Sequence, residues 1–206
     1  MDKVNFKKEL AHLYNPKNIE WQLVRVPTMN FLMVDGKGDP NTAPDYADAV
    51  EALYGVSYAI KLLSRRTLGR DYVVPPLEGL WSSDDPAAFT QMNKEKYSWT
   101  MMIMQPDWIT RARFARAIEP KKARRDLPAL SRVRFEPYAE GRALQLIHIG
   151  SYDDEAPKLK QLHDEYLPEH DLTPNGPHHH EIYLSDPRKT PPAQRKTILR
   201  QPIKQL

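Results

Sequence analysis

Apolar residues recur along this chain with two periods, one typical of amphipathic helices and one typical of strands. The helical spacing predicts helices over residues 5–14, 43–65, 107–122 and 153–167. Alternating apolar and polar positions predict strands between these helices. The predicted strands cover residues 19–26, 29–35, 97–105, 131–137, 143–149, 179–184 and 196–203, with one more strand around Glu78. Residues 82–95 are polar and contain proline, which predicts a loop.

The predicted elements occur in a similar order in the two halves of the chain. Residues 1–26 form an N-terminal helix and a lead-in strand, and two modules follow in residues 27–105 and 106–206. Each module contains the order strand, helix, strand, strand. Helices separated by paired strands favour an antiparallel sheet with helices on one face. The sequence therefore predicts one α+β domain over residues 1–206, built from duplicated modules that meet at a cleft.

Two helix starts are predicted from capping residues. Thr42 and Asp45 have the spacing of a capping box before the first long helix. Ser151 and Asp154 have the same spacing before the helix of the second module. We expect the two helices to begin at these residues.

A glutamate lies in a corresponding strand of each half, Glu78 in the first and Glu181 in the second. Each follows a strand that ends in glycine and then a helix, so we expect the two carboxylates to share one pocket. In the second strand, alternation places Glu181 and Tyr183 on one face. Apolar Ile182 is expected to pack against the helices, which leaves Glu181 on the opposite, concave face. The alternative is that both glutamates are surface charges on a solvated sheet.

Aromatic residues occur around both glutamates, and they indicate a pocket for flat molecules. A carboxylate in such a pocket can hold a cation or exchange protons with a substrate. Tyr72 precedes two prolines, and its phenol is a candidate donor to a ligand carbonyl. The alternative is that the aromatic side chains only fill the core. The candidate catalytic residues are Glu181, Glu78 and Tyr72, and the candidate ligand-binding residues are Trp81, Trp99, Tyr183, Tyr97 and Trp108.

The composition is that of an ordinary globular protein and argues against several classes of function. The chain has 206 residues, 30 basic and 27 acidic, and its net charge of +3 is too balanced to predict a nucleic-acid partner. The basic run at residues 111–125 spreads around a helical wheel. The absence of cysteine excludes disulfide and thiolate sites. No apolar stretch reaches the ~20 residues of a membrane span. Since no signal peptide is recognisable, we expect a cytoplasmic protein.

The histidines and glycines predict neither a metal ion nor a cofactor. Residues 178–180 are three histidines, but strand alternation points His179 away from its two neighbours. Residues 36–41 lack the spacing of a phosphate-binding loop and predict a tight turn. His163 lies on the apolar face of a predicted helix and is expected to be a core residue.

Three segments of the chain resemble the GyrI-like small-molecule-binding family, most closely its free-standing members. They are Val26–Asn41 (VPTMNFLMVDGKGDPN), Pro76–Trp81 (PLEGLW) and His179–Arg188 (HHEIYLSDPR). Residues 196–202 fit as well, so the resemblance covers nearly the whole chain.

The resemblance implies two strand-helix-strand-strand modules with a ligand cleft between them. In related transcription regulators this domain binds effectors, and a pocket glutamate that matches Glu181 meets cationic, aromatic drugs. Those regulators carry a helix-turn-helix domain. About 25 residues precede the first matching segment, which are too few for such a domain and argue against transcriptional regulation.

Some free-standing relatives resemble hydrolases of cyclopropanoid alkylating natural products, the yatakemycin and duocarmycin type. The resemblance therefore implies binding of flat aromatic or cationic molecules, with hydrolysis in which Glu181 and Glu78 divide the acid and base roles. Tyr72 would donate to the carbonyl, and Trp81 or Trp99 would stack on the ligand. Two alternatives stay open. One is a module that sequesters or senses such ligands without chemistry, and the other is a protein-interaction module related to gyrase inhibition, with a filled cleft and no identified partner.

Overall fold

The computed structural model describes residues 3–85, 87–89, 91–121 and 127–206, and its main feature is one large antiparallel sheet. The strands are β1 (Lys3–Val4), β2 (Gln22–Val26), β3 (Met29–Lys37), β4 (Asp71–Tyr72), β5 (Leu77–Ser82), β6 (Ser98–Gln105), β7 (Arg134–Tyr138), β8 (Gly141–Ile149), β9 (Leu172–Pro174), β10 (His179–Tyr183) and β11 (Lys196–Gln205). Their order is β2-β8-β11-β10-β5-β6-β3-β7, with β9 also paired to β11. The short strands β1 and β4 form a separate parallel pair.

The helices are α1 (Phe6–Glu9), α2 (Ala11–Tyr14), α3 (Pro44–Leu68), α4 (Arg111–Ile118), α5 (Ala156–Gln161) and α6 (Leu167–Glu169). A 3-10 turn at Tyr152–Glu155 precedes α5, and a π-helical turn at Leu162–Tyr166 joins α5 to α6. Residues 152–169 therefore form one continuous helical segment. No helix among the described residues is long and apolar enough to cross a membrane.

The two modules meet at the centre of the sheet. The first contains β3, α3, β5 and β6, and the second contains β8, the helical segment, β10 and β11. Each module contributes one central strand, because β5 pairs antiparallel with β10. The predicted α+β architecture of duplicated strand-helix-strand-strand modules is confirmed.

Both long helical elements lie on the face of the sheet that carries Glu181. Register places Glu181 opposite Gly79, and Gly79 opposite Met101, whose side chain packs in the core below α3. On the same face, Leu162 of the helical segment packs against Leu144 of β8. The prediction that Glu181 lies on the face away from the helices is therefore wrong.

The opposite face is covered by the N-terminal helices. Ile182 is fully buried there and packs in one cluster with Leu13 and Tyr14 of α2. The predicted helix at residues 5–14 is divided into α1 and α2, because Leu10 has a non-helical backbone with ψ 45°.

Helix starts follow the capping predictions in one case out of two. The Ser151 side chain accepts from the Asp154 N–H, and Asp154 accepts from the Ser151 N–H, so this capping box is confirmed. The N-cap of α3 is Ala43, which makes no side-chain cap, so the box predicted at Thr42 is wrong. The predicted helix at 107–122 begins at Arg111 because Thr110 caps it. Residues 122–125 of the basic run lie outside the described residues.

Candidate functional site

An open cleft of about 2370 Å³ lies above the two central strands of the sheet. Side chains of α3 form one wall, and side chains from residues 152–164 form the other. Trp81, Glu181 and Tyr183 lie on the sheet between these walls. These side chains therefore line the cleft and do not fill it, so a small molecule can enter.

Glu181 has hydrogen-bond partners on both carboxyl oxygens. The Tyr183 hydroxyl donates to Oε2 at 2.8 Å, and His179 Nε2 lies 2.9 Å from Oε1. The Tyr183 hydroxyl itself accepts from Trp81 Nε1 at 2.8 Å. These side chains share one face because they alternate along two paired strands. The contacts fix the orientation of the carboxylate at the floor of the cleft.

Gly79 leaves the space that this arrangement needs. It is the cross-strand partner of Glu181. A Cβ at this position would lie 2.7 Å from Trp81 Nε1 and 3.2 Å from the Tyr183 hydroxyl. The glycine therefore allows the hydrogen bond between Trp81 and Tyr183 to form.

Aromatic rings surround the carboxylate. Tyr46 of α3 stacks on Trp81 at a centroid distance of 6.2 Å, and Tyr97 meets the same indole edge-on at 6.1 Å. Tyr152 meets Tyr183 edge-on at 5.6 Å on the other side. All five residues line the cleft. Such walls suit a flat aromatic molecule, and a nearby negative charge suits a cation.

A second carboxyl group, that of Glu155, lies beside Glu181. Glu155 is only 3% exposed. Burial and the negative charge of Glu181 raise its pKa well above the usual range, although the nearby Thr197 hydroxyl acts in the opposite direction. A carboxyl pair in such surroundings favours one shared proton and one negative charge.

The tyrosines of the cleft are held as neutral phenols. Burial first, and then the negative charge of Glu181, raise the pKa of Tyr183, Tyr46 and Tyr97. A neutral phenol can donate a hydrogen bond to a carboxylate or to a ligand carbonyl. The cleft therefore combines one acidic pair with several hydroxyl donors.

The structure does not bring Glu78 to this cleft. The register pairs Glu78 with Ile182 and Glu181 with Gly79, so the two glutamates point to opposite faces of the sheet. Glu78 is fully buried and accepts a hydrogen bond of 2.8 Å from Tyr14. The prediction that the two glutamates share one pocket is therefore wrong.

Glu78 belongs instead to a buried charge network below α2. Its Oε2 lies 2.9 Å from His180 Nε2, a charge contact whose angles fall short of a good hydrogen bond. His180 also contacts Glu140, and Glu140 contacts Arg200, each at 2.9 Å. Burial alone would lower the pKa of His180, but Glu140 and Glu78 raise it to about 9. Burial would raise the pKa of Glu140, but His180 and Arg200 lower it to about 2.

Three predicted residues pack behind or beside the cleft without lining it. Tyr72 is fully buried, and its hydroxyl lies 3.3 Å from Gln105 Oε1. Trp108 meets Tyr72 edge-on at 6.0 Å in the same cluster. Trp99 is buried and supports Tyr46 from below at 5.3 Å. The expectation that Tyr72, Trp99 and Trp108 line the cleft is therefore corrected, because Tyr72 and Trp99 are buried in the core and half-buried Trp108 packs against the core outside the cleft.

The histidines do not form a metal site in the described part of the chain, where no group of three or more ligands could hold an ion. His179 instead contacts Glu181. His163 lies in the π-helical turn and is exposed at the cleft, whereas the sequence pattern predicts a core residue. A π-helical turn is frequent at functional sites.

The sequence pattern does not single out Glu155, Tyr46 or Tyr152. Glu155 directly follows the capping box at Ser151 and therefore has the pattern of an ordinary acidic first turn. Tyr46 lies on the apolar stripe of α3, a position that predicts a buried core residue. The signal available for Glu155 is its position directly after the capping box, at the end of the first turn. In the structure this position is buried against the sheet.

Comparisons with known proteins agree with this architecture. Residues 20–204 match the GyrI-like small molecule binding domain. An uncharacterized conserved protein from Listeria innocua has 38% identity and a TM-score of 0.88, with 98% of this chain and 100% of that chain covered. A hydrolase from Listeria innocua has 37% identity and a TM-score of 0.83 with the same coverage.

A more distant structure shares the fold alone. The C-terminal domain of EcmrR is 11% identical with a TM-score of 0.57, and the match covers 91% of this chain and 98% of that chain. No curated protein matches the chain. The family match over residues 20–204, with the close structural relative from Listeria innocua, shows that this chain belongs to the GyrI-like small-molecule-binding family.

Proposed function

We propose that this protein binds flat aromatic or cationic small molecules in its cleft and hydrolyses the strained ring of cyclopropanoid alkylating natural products. The observation that carries the proposal is the Glu155–Glu181 carboxyl pair at the floor of an open, aromatic cleft. A hydrolase from Listeria innocua with 37% identity supports an enzymatic role.

Recognition follows from the shape and charge of the cleft. Trp81, Tyr46 and Tyr97 provide ring faces and edges against which a flat molecule can stack. Glu181 provides a negative charge that is oriented before the ligand arrives. A fixed charge in a partly desolvated site attracts a cation more strongly than the same charge in water.

Hydrolysis of a spirocyclopropyl dienone adds one water to the substrate. The water oxygen forms a bond to the ring CH2 carbon while the ring C–C bond breaks. The released electron pair moves to the dienone oxygen, which becomes a phenolate and then takes one proton from solvent to give the phenol. The proton lost by water passes to Glu181, which we assign as the general base.

We assign to Glu155 the role that the family resemblance implies for Glu78. Its raised pKa favours the protonated form, so Glu155 can share its proton with Glu181 and keep a single negative charge on the pair. Tyr46 and Tyr97 take the place of Tyr72 as candidate donors to the dienone oxygen, since both line the cleft. Their hydroxyls reduce the charge that develops there.

The experiment is incubation with a duocarmycin-type cyclopropanoid, followed by mass spectrometry of the small molecule. Wild type should form a water adduct, and Glu181→Gln and Glu155→Gln should lose at least ~100-fold in rate, as expected for a general base and its partner. Glu169→Gln is the matched control, because Glu169 is exposed and lies outside the cleft. Equal turnover by Glu181→Gln would overturn the assigned role.

A sequestering module is the second candidate. The observation that favours it is that both oxygens of Glu181 already have protein partners, an arrangement suited to a fixed counter-charge. Unchanged compound together with protection of DNA in the same incubation would establish sequestration and exclude hydrolysis. A protein-interaction module predicts a cleft filled by side chains, and the open cleft gives that function no support.

A further inference from the structure

Three buried polar atoms belong to Glu155 of the carboxyl pair and to two side chains of the strands beneath it. They are Glu155 Oε1, the Thr197 hydroxyl oxygen and His148 Nδ1, and none has a hydrogen bond of good geometry within the described residues. Each of the three residues is at most 3% exposed. Leaving a buried polar atom unpaired is unfavourable, because the atom loses its hydrogen bonds to water without replacement. Three such atoms beside one functional pair indicate a built polar site.

The sheet register brings two of these residues together. Thr197 is the cross-strand partner of His148 on one side and of Tyr183 on the other. The three side chains therefore form one row on the face that carries Glu181. Glu155 belongs to the 3-10 turn above this row, and the Thr197 hydroxyl acts on its pKa at short range. Thr197 and His148 do not line the cleft.

The backbone determines which nitrogen of His148 carries hydrogen. His148 Nε2 lies 2.9 Å from the carbonyl oxygen of Ser151. A carbonyl oxygen can only accept, so Nε2 must be the protonated nitrogen. In the neutral imidazole, Nδ1 is then a buried acceptor that has no hydrogen-bond partner among the described residues.

We propose that Glu155, Thr197 and His148 form a buried proton-transfer chain, completed by one internal water, through which the Glu155–Glu181 pair exchanges its proton behind a bound ligand. This inference rests on the proposed function. An internal water needs two to four polar partners, and the three unpaired atoms would supply them in the proposed chain.

The transfer conserves protons and involves no change of oxidation state. The Glu155 carboxyl gives its proton to the water or the Thr197 hydroxyl, which passes a proton to His148 Nδ1. Glu155 becomes a carboxylate and His148 an imidazolium, and the reverse transfer restores both. The chain has a use in hydrolysis, because Glu181 must lose the proton taken from water while a flat ligand blocks the cleft. His148 and Thr197 are positioning residues, since they act through Glu155.

Asp154 is a charged neighbour of His148. Hydrogen bonds from Ser151 and then the charge of His148 lower the pKa of Asp154. The titratable and charged groups that face Glu155 or His148 are Glu181, Tyr183, Tyr152, Asp153 and Asp154.

The test follows two titrations in the ligand-free protein. Infrared spectroscopy follows the C=O stretch of protonated Glu155, identified by its loss in Glu155→Gln. Thr197→Val removes a donor to the ionised carboxylate, so the Glu155 midpoint should rise by about one pH unit. Thr197→Ser should restore it. If the titration midpoint of Glu155 does not move in a folded Thr197→Val variant, the proposed proton-transfer chain is wrong.

Nitrogen NMR of His148 provides the second readout. We expect the Nε2–H form at neutral pH, with an Nδ1 signal that changes at the same midpoint as Glu155 and loses this step in Glu155→Gln. A neutral Nδ1–H form, or an Nδ1 signal that is unchanged by Glu155→Gln, would overturn the proposed proton-transfer chain. His148→Gln keeps a donor for Ser151 and removes the Nδ1 acceptor, so the chain predicts that it also shifts the Glu155 midpoint.

Cyclopropanoid turnover by the same variants separates this inference from the proposed function. If Glu155 and His148 titrate together but no water adduct forms, the proton-transfer chain is supported and hydrolysis is rejected. If a water adduct forms but the two residues titrate independently, hydrolysis is supported and the proton-transfer chain is rejected.

Discussion

Tyr183 donates a hydrogen bond of 2.8 Å to Oε2 of Glu181, two positions earlier on the same strand. Trp81, from the neighbouring strand, donates in turn to the Tyr183 hydroxyl. Trp81 belongs to the first module, whereas Glu181 and Tyr183 belong to the second. The acidic centre of the cleft is therefore assembled only when the two modules pair through their central strands.

Glu181→Gln should weaken binding of a planar aromatic cation. Glutamine keeps the shape of the side chain and removes its charge, so we expect the affinity for ethidium to fall ~10–100-fold, the equivalent of a hydrogen bond to a charged group. Titration calorimetry measures the affinity, and Glu169→Gln is the exposed control. Equal affinity in wild type and Glu181→Gln would contradict the assignment.

Gly79→Ala should disrupt the site and destabilise the fold. The added methyl would lie 2.7 Å from Trp81 Nε1, which must move and lose its contact with Tyr183. We expect a loss of ~1–3 kcal/mol, as for other overpacked cores, measured by urea unfolding with tryptophan fluorescence.

Gly55→Ala is the matched control for this substitution. A Cβ at Gly55 of α3 would lie 3.5 Å from the nearest Leu127 atom, an ordinary contact. Because alanine is the better helix former, we expect a gain of ~0.5–1 kcal/mol. Similar losses in the two variants would show that Gly79 has no special steric role.

Tyr183→Phe should cost ~1–3 kcal/mol of unfolding free energy, because it leaves the Trp81 indole N–H without its acceptor and removes one donor to Glu181. Chemical denaturation measures this loss. Tyr58→Phe is the control, since Tyr58 is 57% exposed and should change stability by less than ~0.5 kcal/mol. A Tyr183→Phe variant as stable as the control would contradict the hydrogen-bond chain.

The buried charge network should make stability depend on pH at the alkaline side. Burial opposes the charged form of His180, but Glu140 and Glu78 raise its folded-state pKa from 6.5 to about 9. The resulting stabilisation is complete below pH 6.5 and is lost as the pH rises through about 9. We expect the unfolding free energy to fall across this interval by at most ~1.4 kcal/mol per pH unit.

His180→Gln provides the comparison for that pH dependence. It should be less stable than wild type at pH 6 and should show a smaller fall towards pH 9, because the titrating group is gone. Urea unfolding at several pH values measures both quantities. Parallel pH profiles for the two proteins would assign the alkaline loss to other groups.

The fold is largely predictable from the sequence because its signals are local. Apolar periodicity identifies α3, the helical segment and the strands of both modules, and their order predicts the duplicated architecture. The register between the central strands is a long-range property, and it decides that Glu78 and Glu181 face opposite ways.

The site is less predictable for the same reason. Tyr72 and Trp108 are held in the core by contacts with Phe6 near the N-terminus, which no local pattern shows. Glu155 has the pattern of an acidic first turn, and its burial follows only from the packing of that turn over Thr197.

Single-turnover hydrolysis in ¹⁸O-labelled water tests the central claim most directly. The wild-type protein, in excess over a duocarmycin-type cyclopropanoid, would be analysed by mass spectrometry after one turnover. If Glu181 activates a water that attacks the ring carbon, the first product carries ¹⁸O in its new hydroxyl group, and Glu181→Gln forms none. A first product with unlabelled oxygen would show direct attack by the carboxylate, and no product at all would contradict hydrolysis by this cleft.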